Sequence, residues 1–208
     1  MSDKARTYWE RAAKIYDISL WVTVRAMPKV LEELKGEFVG GERVLEVAAG
    51  TGMATEVMAP RVGEVVAVDY ASAMVEKLKT RVQKAKLTNV HCQQADIYAL
   101  PFEAESFDAV VAGNVLHLLP NLPKAYEALL RVLKPQGRLF APTVCPNQTL
   151  GGRMLARLLK LTGLPIQRCF DVASFRASME EAGLRVTKEK VFSGLMPLGY
   201  CVGTRTCP

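Results

Sequence analysis

The feature that most constrains this chain is an alternation: five short apolar stretches, most of them followed by a run with helical spacing. The apolar stretches are RVLEVA (43–48), EVVAVD (64–69), NVHCQQAD (89–96), SFDAVVAG (106–113) and GRLFAPT (137–143). Between them stand TGMATEVMAPRV, a pattern with Met74, Val75, Leu78 and Val82 on one side, and a helix running through Ala125 to Leu133. Strands that are apolar on both faces must be covered on both, and helical crossovers make neighbouring strands parallel. The pattern predicts an α/β fold with a doubly wound, mostly parallel sheet and helices on both faces.

The flanks differ from this rhythm. Trp9, Ala12, Ala13 and Tyr16 fall at helical spacing within residues 5–16, and LWVTVRAMPKVLEELK continues as a second helical stretch that restarts at Pro28. After Thr143 the sequence predicts a helix in LGGRMLARLLKLTG and another in VASFRASMEEAG, stopped by Gly183. RVTKEKVF and YCVGTRT then read as strands facing each other across GLMPLG, a hairpin at the sheet edge. The expected organisation is one domain over 1–208: a helical cap (1–40), a core (41–143), and a lid helix, second helix and terminal hairpin (144–208).

A chain of 208 residues, 50% hydrophobic and 23% charged, suffices for one sizeable core. Its five cysteines are scattered without a CxxC pair, and His91 and His117 lie far from any cysteine spacing that would hold a metal. Free thiols and no metal are expected. The charged N-terminus lacks an apolar signal core and no run approaches the ~18 apolar residues of a membrane span, so a cytoplasmic location is expected. The net charge is +6, of which residues 151–208 carry +5, read as a solvated basic face ahead of an anion-attracting surface.

RVLEVAAGTGMAT (43–55) is the first strand-to-helix junction, and ligands of open α/β sheets bind beyond such carboxyl ends. Gly50 and Gly52 allow backbone angles closed to other residues and let a ligand lie on the main chain. The spacing departs from the dinucleotide pattern GxGxxG, since Thr55 stands where a third small residue belongs, and no GxxxxGK[ST] is present. Acids recur at three consecutive strand ends: Glu46, Asp69 and Asp96. An acid after the second strand suits the two hydroxyls of a ribose. Asp96 suits an adenine amino group, and Glu46 a cationic ligand.

This constellation resembles the class I S-adenosylmethionine-dependent methyltransferases. LEVAAGTG is similar to the family's glycine-rich motif, VVAVDYASAM to its acidic motif, QQADIYALPFEAESFDAV to the next two, and LRVLKPQGRLF to the following helix and strand. The resemblance implies a Rossmann-like seven-stranded sheet with an antiparallel terminal strand. It implies S-adenosylmethionine as cofactor and S-adenosylhomocysteine as product. By the same likeness Glu46, Ala48, Gly50 and Gly52 surround the methionine part and Asp69 holds the ribose. Asp96 and Ile97 flank adenine, Tyr70 and Met74 lie on the other face of the adenosine, and Asn114 meets the cofactor after the fourth strand. Ala48 departs from the usual glycine, and fits if its backbone angle is ordinary. YWERAAKIYD resembles the helix that closes over the cofactor in small-molecule, quinone and lipid methyltransferases, which makes Tyr8 and Tyr16 candidates to line the site.

Methyl transfer from a sulfonium needs alignment and exclusion of water more than a protein nucleophile or metal. His117 is the candidate general base by position and by its titration near neutrality, with a pocket-shaping histidine as the alternative. The segment after the fourth strand, AGNVLHLL, lacks the NPPY-like pattern of amino-methylating enzymes, and no nucleic-acid module is present. Nucleic acid is therefore not expected, and the expected acceptor is a small apolar or amphipathic molecule. In LGGRMLARLLKLTG, Arg153, Arg157 and Lys160 share one side of an otherwise apolar helix. A lid over the acceptor is the first reading of residues 150–162, and peripheral contact with a membrane the second. The latter accompanies a phospholipid or quinone acceptor. A non-catalytic nucleotide-binding module and a pseudoenzyme subunit are the readings outside catalysis.

Overall fold

The computed structural model describes residues 3–14, 16–18 and 24–206. Seven strands form one sheet: β1 (Arg43–Val47), β2 (Glu64–Asp69), β3 (Val90–Gln94), β4 (Phe107–Ala112), β5 (Leu133–Val144), β6 (Leu184–Phe192) and β7 (Leu198–Arg205). Their order is β3-β2-β1-β4-β5-β7-β6. The first five are parallel, and β7 runs antiparallel to both β5 and β6. The expected sheet and its edge hairpin are both present.

β1 is central, pairing Val44 with Val65 on one side and with Ala109 on the other. Its residues are buried on both faces, as continuous apolar strands require. Leu45, Val47, Val66, Val68 and Val110 point to one core with α5 (Leu122–Val132) and α7 (Val172–Glu181). Val44, Val65, Ala67, Ala109 and Val111 point to the other. There they meet Val30 and Leu34 of α2 (Met27–Lys35), Met58 of α3 (Met53–Met58) and Leu78 of α4 (Ser72–Lys84). Strand order reverses between β2 and β4 around β1, which opens a crevice at the carboxyl ends of these strands.

The flanks refine the expected boundaries. α1 (Asp3–Ala12) is shorter than the anticipated helix over 5–16: a turn at 13–14 precedes a separate helical turn at 16–18. The restart at Pro28 places it in the first turn of α2, where its missing N–H costs nothing. Residues 20–23 of that second stretch lie outside the described residues, as does Cys207. β5 begins at Leu133 because Leu133 pairs with Phe107 before an irregularity in the ladder, extending the strand through the turn-like KPQG. α6 (Leu150–Leu161) opens where Thr149 accepts the Gly152 N–H through its side chain. No helix among the described residues is long and apolar enough to cross a membrane.

Candidate functional site

Leaving β1, the chain makes a tight turn in which Ala48, Gly50 and Gly52 all have positive φ, of 51°, 56° and 86°. The turn is fastened to the end of β2. Gly50 N donates to Asp69 Oδ2 at 2.8 Å, and Ala49 N to the Val68 carbonyl at 3.0 Å. The other oxygen of Asp69 accepts the Ala71 N–H at 2.9 Å. Burial raises the Asp69 pKa above the usual carboxylate range, while these backbone donors oppose the rise.

The two glycines have different reasons. A Cβ on Gly50 would lie 3.4 Å from Tyr16 Cε1, in the space between the turn and the N-terminal segment. A Cβ on Gly52 would lie 2.5 Å from Leu78 Cδ1, so Gly52 permits α3 to start against α4 and lines no hollow. Ala48 corrects an expectation, because its angle is not ordinary. It occupies the left-handed region, which costs a Cβ-bearing residue roughly 1 kcal/mol.

Around the turn lies a predominantly apolar cavity. Val47, Ala48 and Gly50 come from the end of β1; Asp69, Tyr70 and Met74 from the end of β2 and the start of α4. Ala95 and Ile97 follow β3, and Gly113, Asn114, Val115, Leu118 and Leu119 follow β4. Trp9 and Tyr16 complete the lining, their rings edge to face at 5.9 Å. A second hollow shares Tyr16, Ala48, Gly113 and Asn114 with the first and continues to Glu46, Thr51, Met53 and the α2 residues Met27, Val30, Leu31 and Leu34.

Glu46 is buried, and its carboxylate accepts the Thr55 hydroxyl. Burial pushes its pKa up to about 8; the Thr55 donor lowers it and the nearby Asp69 charge raises it. Thr55, the residue that breaks the dinucleotide spacing, is thus the partner of the first strand's acid. Tyr16 stays protonated: burial first, then the charges of Asp69, Asp17 and Glu46, raise its pKa. Asn114 also sits at positive φ (54°), with its N–H on the Pro142 carbonyl at 2.6 Å.

Four expected features fall elsewhere: Asp96, His117, the lid helix and Tyr8. Asp96 does not line the cavity; its carboxylate accepts the Tyr98 N–H at 3.0 Å while Ala95 and Ile97 face inward. β3 ends two residues before Asp96, at Gln94, so strand alternation no longer sets its direction. His117 is buried in the 3₁₀ turn Leu116–Leu118, and Leu118 and Leu119 take the cavity side instead. Its Nδ1 has no hydrogen-bond partner among the described residues, and burial pushes its pKa down to about 3, so it is neutral. α6, expected as a lid, contributes no residue to either hollow, and Tyr8 hydrogen-bonds Thr162 at the end of α6 rather than lining the site.

The N-terminal segment is held over the site by polar contacts that sequence reasoning missed. Glu10 accepts the N–H groups of Ser72 (2.8 Å) and Ala73 (2.9 Å), capping α4, whose own N-cap residue Ala71 supplies no side-chain acceptor. Arg81 donates to the Thr51 carbonyl (2.8 Å), Glu56 (2.8 Å) and Asp17 (2.5 Å), and the Thr51 hydroxyl donates to Asp17. The Arg6 guanidinium lies 4.4 Å from the Tyr70 ring centroid. Long-range pairs of this kind leave no periodic mark in the sequence.

Comparison with known proteins gives this geometry a context. Residues 45–141 match the sequence model of a methyltransferase domain. A malonyl-[acyl-carrier protein] O-methyltransferase of Halorhodospira halophila is 34% identical over 68% of this chain, and the match spans 48% of that enzyme, about half its length. A demethylmenaquinone methyltransferase of Renibacterium salmoninarum is 33% identical over 76% of this chain and 68% of its own. In fold, the chain is similar to a SAM-dependent methyltransferase of Aquifex aeolicus, with a TM-score of 0.71 and 23% identity over 93% of this chain and 97% of that one.

Proposed function

This chain belongs to the class I S-adenosylmethionine-dependent methyltransferases, and from that premise we propose that it methylates a small apolar or amphipathic acceptor held beside the Gly50 turn. The observation that carries the reading is the clasp between Gly50 and Asp69 at the floor of an apolar cavity roofed by Tyr16.

The residues present fit S-adenosylmethionine. The space that a Gly50 Cβ would enter is the kind of cradle a close-lying ligand requires. Asp69, whose carboxylate already accepts the N–H groups of Gly50, Ala71 and Tyr70, retains acceptor capacity for a ribose hydroxyl. Met74, Tyr70 and Ile97 would flank a flat base, and Glu46, Ala48 and Asn114 the methionine part. When bound, S-adenosylmethionine supplies a methyl group on a cationic sulfur. Ionised Glu46 would favour that positive ligand over a neutral one. Trp9 and Tyr16, on one side of the apolar cavity, would help to exclude water from the reacting groups. His117, buried and neutral, is assigned no part in proton transfer.

The acceptor class is supported by the second hollow, whose α2 wall of Met27, Val30, Leu31 and Leu34 suits an apolar body. The Renibacterium salmoninarum relative is named a demethylmenaquinone methyltransferase, which favours a quinone-like ring within that class. Isothermal titration with S-adenosylmethionine, S-adenosylhomocysteine and NAD tests the cofactor. The first two are expected to bind, and binding of NAD alone would make the chain a nucleotide module of another kind. Turnover of a demethylated quinone, followed by transfer of labelled methyl, tests the acceptor.

A further inference from the structure

α6 turns only part of its surface to the protein. Gly152 and Ala156 are buried, and Leu155 and Leu159 pack against the core on the α2 side of the sheet. Four other apolar residues of the same helix face solvent: Leu150 is 72% exposed, Met154 71%, Leu158 60% and Leu161 83%. At a helical rotation of about 100° per residue they fall within about 80° of arc. Leu195 adjoins them, its Cδ1 3.3 Å from where a Gly151 Cβ would stand, and is itself 61% exposed. Soluble surfaces scatter such residues singly, whereas a contiguous patch marks an interaction site.

Charge on this helix indicates the occupant. Arg153, Arg157 and Lys160 form a strip beside the apolar one, all exposed, and none makes an ion pair among the described residues. The helix contains no acidic residue, nor does any position from 128 to 170. A protein partner of this chain's own kind would bring a second basic strip against the first. An anionic lipid surface instead takes both strips at once: acyl chains cover the leucines while headgroup phosphates meet the cations.

We propose that the outer face of α6, with Leu195, docks the enzyme on an anionic lipid surface. The docking face and the candidate site are joined by one contact, since Thr162 at the end of α6 meets Tyr8 of α1, the helix whose Trp9 lines the cavity. The proposal does not depend on which acceptor is methylated.

Co-sedimentation of the full chain with vesicles tests it, using phosphatidylcholine alone or mixed with phosphatidylglycerol. Binding is expected to the mixed vesicles and to weaken as salt is raised. Arg153→Glu/Arg157→Glu is expected to lower that binding about tenfold or more, and Met154→Asp/Leu158→Asp likewise. Both variants alter solvent-facing side chains, so circular dichroism and S-adenosylhomocysteine affinity should match wild type. Absence of binding to mixed vesicles overturns the proposal, as does binding that the charge-reversed and aspartate variants retain in full. A concentration-dependent dimer broken by Met154→Asp/Leu158→Asp, without vesicle binding, would assign the face to a second copy. Failure of this assay leaves methyl transfer intact, and failure of turnover leaves docking intact.

Discussion

Asp69 Oδ2 accepts the Gly50 N–H at 2.8 Å, so the end of β2 fixes the turn that leaves β1. One carboxylate therefore shapes the floor of the cavity and borders it. Asp69→Asn replaces a charge-assisted bond by a neutral one and puts an amide NH₂ near a backbone donor. Cofactor affinity should fall about tenfold to hundredfold, with roughly 1–3 kcal/mol lost from stability. Titration calorimetry and urea unfolding on one preparation separate the two effects, and unchanged affinity would remove Asp69 from the ligand.

Gly50 and Gly52 should fail in different ways. Gly50→Val is expected to abolish cofactor binding while the fold survives, because its side chain enters the hollow beneath Tyr16. Gly52→Ala meets Leu78 and should destabilise the protein by about 2–4 kcal/mol, with the remaining folded fraction still binding. Thermal unfolding with and without S-adenosylhomocysteine distinguishes them; the reverse pattern would make Gly52 the ligand cradle and Gly50 the packing residue.

At Ala48 the expected change is a gain. Glycine takes a φ of 51° without a Cβ penalty, partly offset by the greater freedom of the unfolded chain. Ala48→Gly should raise stability by up to about 1 kcal/mol without weakening the cofactor, and Ala48→Val should lower both. Denaturant midpoints give the comparison.

Glu46 makes the ligand-free protein sensitive to alkali. Its folded pKa of about 8 exceeds the ordinary 4.5, so between these values the folded state holds a proton that the unfolded state has lost. Stability contributed by this group is present below about 4.5, declines as pH rises, and is lost by about 8, a total of at most a few kcal/mol. Glu46→Gln should flatten the decline. Because a cationic ligand prefers the ionised form, wild-type cofactor affinity should rise with pH through about 8, and the variant's should not. Calorimetry across that interval in two buffers of different ionisation heat would expose the proton released.

His117 acts in the opposite sense. Its pKa falls from 6.5 to about 3 on folding, so below 6.5 the unfolded state takes up a proton that the folded state refuses. Stability falls with acid through that window. His117→Gln should soften the acid transition while leaving the pH profile of turnover unchanged. A lost limb in that profile would restore the base role to His117.

The five parallel strands and the glycine turn were legible because apolar runs of strand length and closely spaced glycines have few other structural uses. The acids at Glu46 and Asp69 could be placed since each is anchored to a strand end that the pattern locates closely. Asp96 could not, as β3 is an exposed edge strand whose mixed composition hides its end. The sequence reports small residues at Ala48 and Gly52 but not the φ of one or the Leu78 contact of the other. His117 depended on a 3₁₀ turn, where a different period decides which side chains face inward. Arg81 and Glu10 join segments more than sixty residues apart through bonds without local periodicity.

The contacts of Arg81 and Glu10 have a kinetic meaning as well. Tyr16 and Trp9 roof the cavity, but the segment carrying them is fastened by hydrogen-bonded charges at the protein surface. Methyl transfer itself breaks none of these contacts, whereas exchange of spent cofactor for fresh requires the roof to lift. If the roof must lift for spent cofactor to leave, raised salt, which weakens the partly exposed Arg81–Asp17 pair, is expected to speed that departure.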